Sequence, residues 1–215
     1  MDMKRIAILT AAAVLTFSPV AKAQKWEFGG GVGGSFTPAN TVTNGASSAD
    51  IKAQTNVAGA IWLSNSVGPH WGGDLRLGYS RGDLELSNGA AHATFAAEAY
   101  TLHYEFLYHF TPVKAKVRPY LAAGGGVKYY RGTGTQVLVQ PLSQFALLTN
   151  TNQLKPMLSL GAGVKVKLTN HLGLRLEIHD YLTAIPQDII APNVGSKVSG
   201  WGQEIVPMVG LSYLF

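Results

Sequence analysis

The chain contains no cysteine, which excludes a disulfide scaffold and thiolate metal sites. Charge is scarce as well. Only 13% of its 215 residues are Asp, Glu, Lys or Arg, roughly half the ~25% of an ordinary soluble domain. Long hydrophobic runs are missing too: beyond the N-terminus no stretch approaches the ~18 consecutive apolar residues of a membrane helix. Yet 47% of the residues are hydrophobic and 25 are glycine. The apolar content is therefore dispersed rather than blocked, one residue in two, as in strands that meet hydrocarbon on one face. The length suits one domain with a sizeable core.

The N-terminus has the three parts of a cleavable signal peptide. Lys4 and Arg5 form a basic start, residues 6–17 a short apolar run, and Ala21-Lys22-Ala23 a small-x-small cleavage site. A signal peptide is expected over 1–23, with Gln24 the first mature residue and 24–215 a single domain. The apolar run is too short for an anchor helix. Removing Asp2, Lys4, Arg5 and Lys22 lowers the net charge from +5 to +3. That modest excess, without a long basic run, gives no support to nucleic-acid binding.

From Lys25 onward the dominant period is two. Trp26, Phe28, Gly30, Val32, Gly34 and Phe36 form one row of a first strand. Further apolar rows run through 57–63, 71–79, 100–110, 121–129, 156–168, 172–178 and 205–215. None of these rows carries a charge. The opposite rows hold Asp74, Arg76, His103, Glu105, Lys128, Lys165, Lys167, Arg175, Glu177 and His179. A Lys or Arg facing the bilayer midplane costs ~2–4 kcal/mol, so rows that meet lipid are kept clean. The connections alternate long and short, with the long ones at 37–53, 81–94, 131–153 and 184–200. The pattern predicts an all-β fold, an eight-stranded antiparallel up-and-down transmembrane β-barrel preceded by a cleavable signal peptide.

With the first strand running outward, Trp26, Phe28, Trp71, Tyr108, Phe110, Tyr213 and Phe215 fall at one rim. Phe36, Tyr79, Tyr100, Tyr129, Tyr181 and Trp201 fall at the other, giving two aromatic belts. Three residues fit less well. Pro156 and Pro207 each remove a ladder hydrogen bond and are expected near outer strand ends or at bulges. Glu98 has lipid-row parity and must lie above the membrane or follow a bulge.

The closing Val209-Gly210-Leu211-Ser212-Tyr213-Leu214-Phe215 resembles the C-terminal signature of bacterial outer-membrane barrels. Arg118-Pro119-Tyr120-Leu121-Ala122-Ala123-Gly124-Gly125-Gly126 is similar to the fifth strand of small opacity-like and outer membrane protein A-like barrels, and residues 172–181 resemble their seventh. The resemblance implies a non-enzymatic barrel in the Gram-negative outer membrane, in contact with outer-membrane lipid. It also implies that the barrel-assembly machinery reads the C-terminal strand through Leu211, Tyr213 and Phe215. The peptidoglycan-binding domain that some relatives append is not expected, since the chain stops at Phe215.

The chemically suggestive residues have plain readings. An eight-stranded barrel is just wide enough for side chains to fill it, so Asp74, Arg76, Glu105, Arg175, Glu177 and His179 are expected to form a lumen ion-pair network. A narrow water path and catalysis are the rival readings of the same row. Residues 29–34 match G-x-G-x-x-G, but no helix follows to complete a dinucleotide site. Arg81-Gly82-Asp83 is ordinary turn chemistry as well as a receptor-read tripeptide. His109-Phe110-Thr111, His171-Leu172-Gly173 and His179-Asp180-Tyr181 lack the serine of the His-x-Ser arrangement that barrel lipid A deacylases use. The six histidines are scattered, so no catalytic, metal or cofactor residues are assigned. The expected role is envelope structure or surface interaction through the four long loops, with an extracellular ligand as partner. A narrow channel, a lipid-modifying enzyme and a soluble carrier with the inverse polarity are the alternatives.

Overall fold

The computed structural model describes residues 26–137 and 139–215; the signal peptide expected over 1–23 lies outside them. In chain order the strands are β1 (Trp26–Ser35), β2 (Asn40–Asn44), β3 (Ser47–Ala53), β4 (Asn56–Ser66), β5 (Trp71–Arg81), β6 (Leu84–Asn88), β7 (Ala91–Phe95) and β8 (Ala97–His109). They continue with β9 (Val117–Gly132), β10 (Ala146–Leu148), β11 (Asn152–Lys167), β12 (Leu172–Ala184), β13 (Ile190–Pro192), β14 (Ser196–Ser199) and β15 (Trp201–Leu214).

Eight of these close an antiparallel barrel in the order β1-β15-β12-β11-β9-β8-β5-β4. Closure is made by the first and last strands of the barrel. Trp26 N–H donates to Phe215 O and Phe215 N–H to Trp26 O, both at 2.9 Å, so neither end strand is left as a free edge. The outward rows stay apolar and exposed, as Leu75, Leu77, Leu102, Leu160, Leu176 and Val209 show. Here lipid supplies the apolar environment that a soluble core would.

The inward rows pack large side chains against glycines. Trp62 of β4 is 2% exposed and lies over its ladder partner Gly29 on the neighbouring β1, and over Gly31 and Gly210 of β1 and β15. A Cβ at Gly29 would come within 2.7 Å of the indole, one at Gly31 within 3.2 Å, and one at Gly210 would overlap it. The glycine-rich start of the barrel is thus the space in which Trp62 sits.

Three corrections to the sequence expectations follow from the register. Tyr181 is not in the outer aromatic belt: it is buried in the lumen and stacks on His179, with centroids 5.9 Å apart. Consequently Asp180 continues the outward row of β12, so that row does carry a charge; Gln203 Nε2 donates to its carboxylate at 2.8 Å. Pro207 is not at a strand end. Its missing N–H faces Gly34, and the β1–β15 ladder stops at Gly33↔Met208 before resuming at the single bridge Phe36↔Ile205. Pro156, in contrast, lies one residue outside the β11–β12 ladder, which begins at Met157↔Thr183. Glu98 sits at the outer rim, where Arg131 Nη1 and the Tyr79 hydroxyl reach it at 3.3 Å.

The long loops also fold. β14-β2-β3-β6-β7 form a five-stranded sheet and β10 pairs with β13, all beyond the outer barrel end. Buried Val42, Ile51, Leu86, Phe95, Phe145, Leu148 and Ile190 give this cap its own apolar core. The hairpins β2–β3 and β6–β7 turn at Gly45-Ala46 and Gly89-Ala90. Gly45 and Gly89 take positive φ at the first central position, as a type II′ turn requires.

Replacing Gly210 by valine drives methyls into Trp62. The expected cost is about 1–3 kcal/mol, read as a lower urea midpoint for the barrel folded in detergent; an unchanged midpoint would show that the lumen tolerates the added volume.

Candidate functional site

Two regions concentrate chemistry: the lumen at mid-height and the outer end where barrel meets cap. In the lumen, β5 contributes Asp74 and Arg76, β12 contributes Arg175, Glu177 and His179, and β8 contributes His103 and Glu105. Period-two alternation sends all of them inward. Arg76 Nη1 and Nη2 grip Glu177 at 2.6 and 3.0 Å, a bidentate pair. Arg76 Nη2 also reaches Asp74 at 3.1 Å. Arg175 reaches Asp74 through Nη2 and Glu177 through Nε, both at 2.6 Å. Each guanidinium lies against Trp62, 5.2 Å from the ring centre for Arg76 and 4.8 Å for Arg175. Ser64 and Tyr120 donate to Asp74 and Glu177 at 2.7 Å.

One layer outward, Glu105 Oε1 meets His179 Nδ1 at 3.1 Å and His103 Nε2 at 3.5 Å, and accepts from Ser159. The six residues assigned to a lumen network from the sequence therefore lie in one contiguous cluster. Sequence reasoning missed its neutral and aromatic members: Trp62, Ser64, Tyr120 and Ser159. It also missed Glu27, which pairs with Lys165 at 2.6 Å, and Glu204, which pairs with Lys128 and accepts from Ser35 at 2.5 Å. Glu27 shows the available signal, since it already has inward parity in the first strand.

At the outer end a cavity of about 90 Å³ lies between the barrel mouth and the cap. The Lys128–Glu204 pair lines it together with Tyr130, Ile51, Ile185 and Ile189. Arg81-Gly82-Asp83 joins barrel to cap here. Gly82 N–H donates to Ala97 O at 3.1 Å and Asp83 O accepts from Gln54 N–H at 2.8 Å. Within the cap, the Gln54 amide donates to Glu85 at 3.1 Å, with His92 and Lys52 at 3.4 and 3.8 Å. The Gln54 hydrogen bond and these neighbours hold the Glu85 carboxyl below its ordinary range. Their tie between the first and second loops is complete above the usual carboxylate pKa and weakens as pH falls through the lowered value.

The remaining candidates separate. His109 is buried beside Tyr120, while His171 is exposed in the turn that precedes β12, away from His179 within that strand. Among the described residues, no three His, Asp or Glu side chains converge as metal ligands. Leu211, Tyr213 and Phe215 stand exposed on the lipid face of the closing strand.

A family model described as the outer membrane protein β-barrel domain matches residues 9–200. No curated protein sequence matches the chain. Among solved structures, OprG from Pseudomonas aeruginosa is similar at 12% identity and a TM-score of 0.58, over 90% of this chain and 97% of that one. A major outer membrane protein from Thermus thermophilus is 14% identical with a TM-score of 0.54, covering 90% and 100%. Neisserial surface protein A is 10% identical with a TM-score of 0.51, covering 89% and 97%. These likenesses concern the fold. Taken with the closed eight-stranded barrel, the family match shows that the chain belongs to the outer membrane protein β-barrel domain family and is an integral protein of the bacterial outer membrane.

Proposed function

We propose that the protein is a non-conducting, non-enzymatic barrel that presents a folded cap for interaction outside the cell. The observation that carries this reading is the cap itself. Four separate loops contribute to one apolar core and one interlinked set of strands, an arrangement that orders a surface rather than leaving it a set of mobile tethers. On it, Val139 and Val194 project with 85% and 96% exposure, positions open to a partner. In the same reading, residues 1–23 are removed on export and 24–215 are the mature domain. The C-terminal strand is read by the assembly machinery through Leu211, Tyr213 and Phe215.

The lumen cluster serves as structural filling. Charges of both signs occupy the middle of the barrel, fully buried at Asp74, Arg76, Glu105, Arg175 and His179. Each is costly without its partner. A gated water path is the second reading, favoured by the cavities at the two ends of the barrel.

Three measurements test these claims. Arg76→Ala or Arg175→Ala leaves carboxylates buried without their cation, and each is expected to lower stability by about 3–5 kcal/mol, read by thermal or urea unfolding in detergent. Unchanged unfolding for both would remove the structural role. In planar bilayers the protein should be silent, whereas steady single-channel steps would establish the channel reading. Cells displaying Val139→Asp/Val194→Asp should bind host-matrix proteins or glycans less than cells displaying the unchanged cap, with lipid A identical by mass spectrometry in both. Equal binding would count against the surface role, and altered lipid A in expressing cells would replace it with an enzymatic one.

A further inference from the structure

The end of the barrel opposite the cap carries an arrangement that the surface-interaction reading does not use. A cavity of about 330 Å³ opens there between the short turns and the closing strand, lined by Lys116, Arg118, Lys165, Lys167 and His171 against the single acidic side chain Glu27. Phe215 also contributes to its wall. Glu27 is already engaged, by Lys165 at 2.6 Å and by Ser212 at 2.7 Å. Among the described residues, no carboxylate lies within 4 Å of Lys116, Arg118 or Lys167.

The ladder register makes the excess more pointed. Lys165 lies directly opposite Arg118 on β9 and directly opposite Arg175 on β12. Two residues nearer the periplasmic turns, Lys167 N–H donates to Lys116 O at 2.8 Å, which sets those two lysines opposite each other as well. All four positions share the inward face. Like charges facing each other across a ladder are destabilising, and across the β9–β11 side two such pairs, Lys165–Arg118 and Lys167–Lys116, are stacked two residues apart. Arg118 adds an independent sign. Its side chain belongs to a residue only 9% exposed, its Nε has no partner, and its one hydrogen bond is a long 3.5 Å contact to Pro69 O. A guanidinium is a planar fork shaped for two oxygens. Arg118 lines the cavity, and its guanidinium has no carboxylate within 4 Å among the described residues and only this one long hydrogen bond.

We infer that this vestibule binds a small oxyanion carrying two or more negative charges, seated between Arg118, Lys116 and Lys167. A phosphate-type anion and a di- or tricarboxylate share the chemistry, and the volume admits either. The short turns place the site on the periplasmic side of the membrane. Bound there, the anion supplies the counter-charge that Lys116, Arg118 and Lys167 lack.

The test uses the 24–215 chain refolded in a neutral detergent, with folding of each variant confirmed by heat-modifiable gel migration. Inorganic pyrophosphate and citrate are titrated separately by calorimetry at low salt. Saturable one-site binding is expected, weakening as salt is raised. Arg118→Gln and Lys116→Gln/Lys167→Gln should each lose at least tenfold in affinity, while the outer-rim control Arg81→Gln/Arg131→Gln binds as the parent does. Binding of pyrophosphate alone identifies a phosphate site, binding of citrate alone a carboxylate site, and binding of both a general oxyanion site. Absence of saturable binding of either, or binding untouched by the vestibule substitutions, overturns the proposal. Lys116→Gln supplies a second readout that needs no ligand. In anion-free buffer it relieves a like-charge pair and should raise the urea midpoint, and pyrophosphate should raise the parent's midpoint more than the variant's. A lowered anion-free midpoint would mean that Lys116 already has a stabilising partner, and the inference would fail.

Discussion

Hydrocarbon offers no hydrogen-bonding partner, so a strand that crosses it must have both edges paired. The reciprocal hydrogen bonds between Trp26 and Phe215 meet that demand at the one place where chain connectivity cannot. Every other neighbouring pair in the barrel is joined by a loop or turn. Closure in turn fixes the inside and outside of each strand. Once β1 pairs with β15 in the register Phe28↔Tyr213, the outward rows fall on lipid and the charged rows are confined together. The composition noted at the outset, little charge and dispersed apolar residues, is what such a closed sheet demands.

Confinement creates the second constraint. The lumen must be filled, and its filling includes buried charges that cannot be left single. The structure meets this by alternating scale. Trp62 takes the room vacated by Gly29, Gly31 and Gly210, and the two arginines lie against its ring while sharing Asp74 and Glu177. A network of this kind ties β4, β5, β9 and β12 across the lumen, which backbone ladders between neighbours cannot do. The gap in the β1–β15 ladder at Pro207 lies close to such a cross-tie, because just beyond it Glu204 of β15 pairs with Lys128 of β9 and accepts from Ser35 of the neighbouring β1.

The barrel was legible in the sequence because lipid enforces its period. Each outward row had to be apolar, and strand positions and phases could be read from Trp71 to Tyr79 or from Leu172 to Ile178 without knowledge of partners. The belt placement of Tyr181 failed because the alternation continues past His179. Two further residues put Tyr181 inside and Asp180 outside, at an outer level where a carboxylate finds Gln203. The cap was not legible as structure. Its strands are three to seven residues long, pair across different loops, and bury isolated side chains such as Val42 and Ile51 within polar surroundings, so no period accumulates. Gly45 and Gly89, each first of a two-residue Gly-Ala connection, were the local signal for its two hairpins. The lumen cluster was readable as a row but not as pairs. Glu27 and Lys165 are 138 positions apart, and only the closed register brings them together.

The two ends of the molecule answer different physical demands, and the difference bears on function. At the outer end, loops that could have remained solvated tethers surround an apolar core and link to one another, while the Lys128–Glu204 pair below them is internally neutral. At the periplasmic end the turns are too short to cover anything, and the inward cations face one another around an open space where Glu27 answers only Lys165, leaving Lys116, Arg118 and Lys167 without a carboxylate of the chain within 4 Å among the described residues. A fold optimised only for stability would match those cations with acids one for one, as it does one layer deeper where Asp74 and Glu177 meet Arg76 and Arg175. The contrast between adjacent layers of the same lumen, one neutralised and one not, separates a stretch of barrel built to stay closed from one left ready to receive an anion.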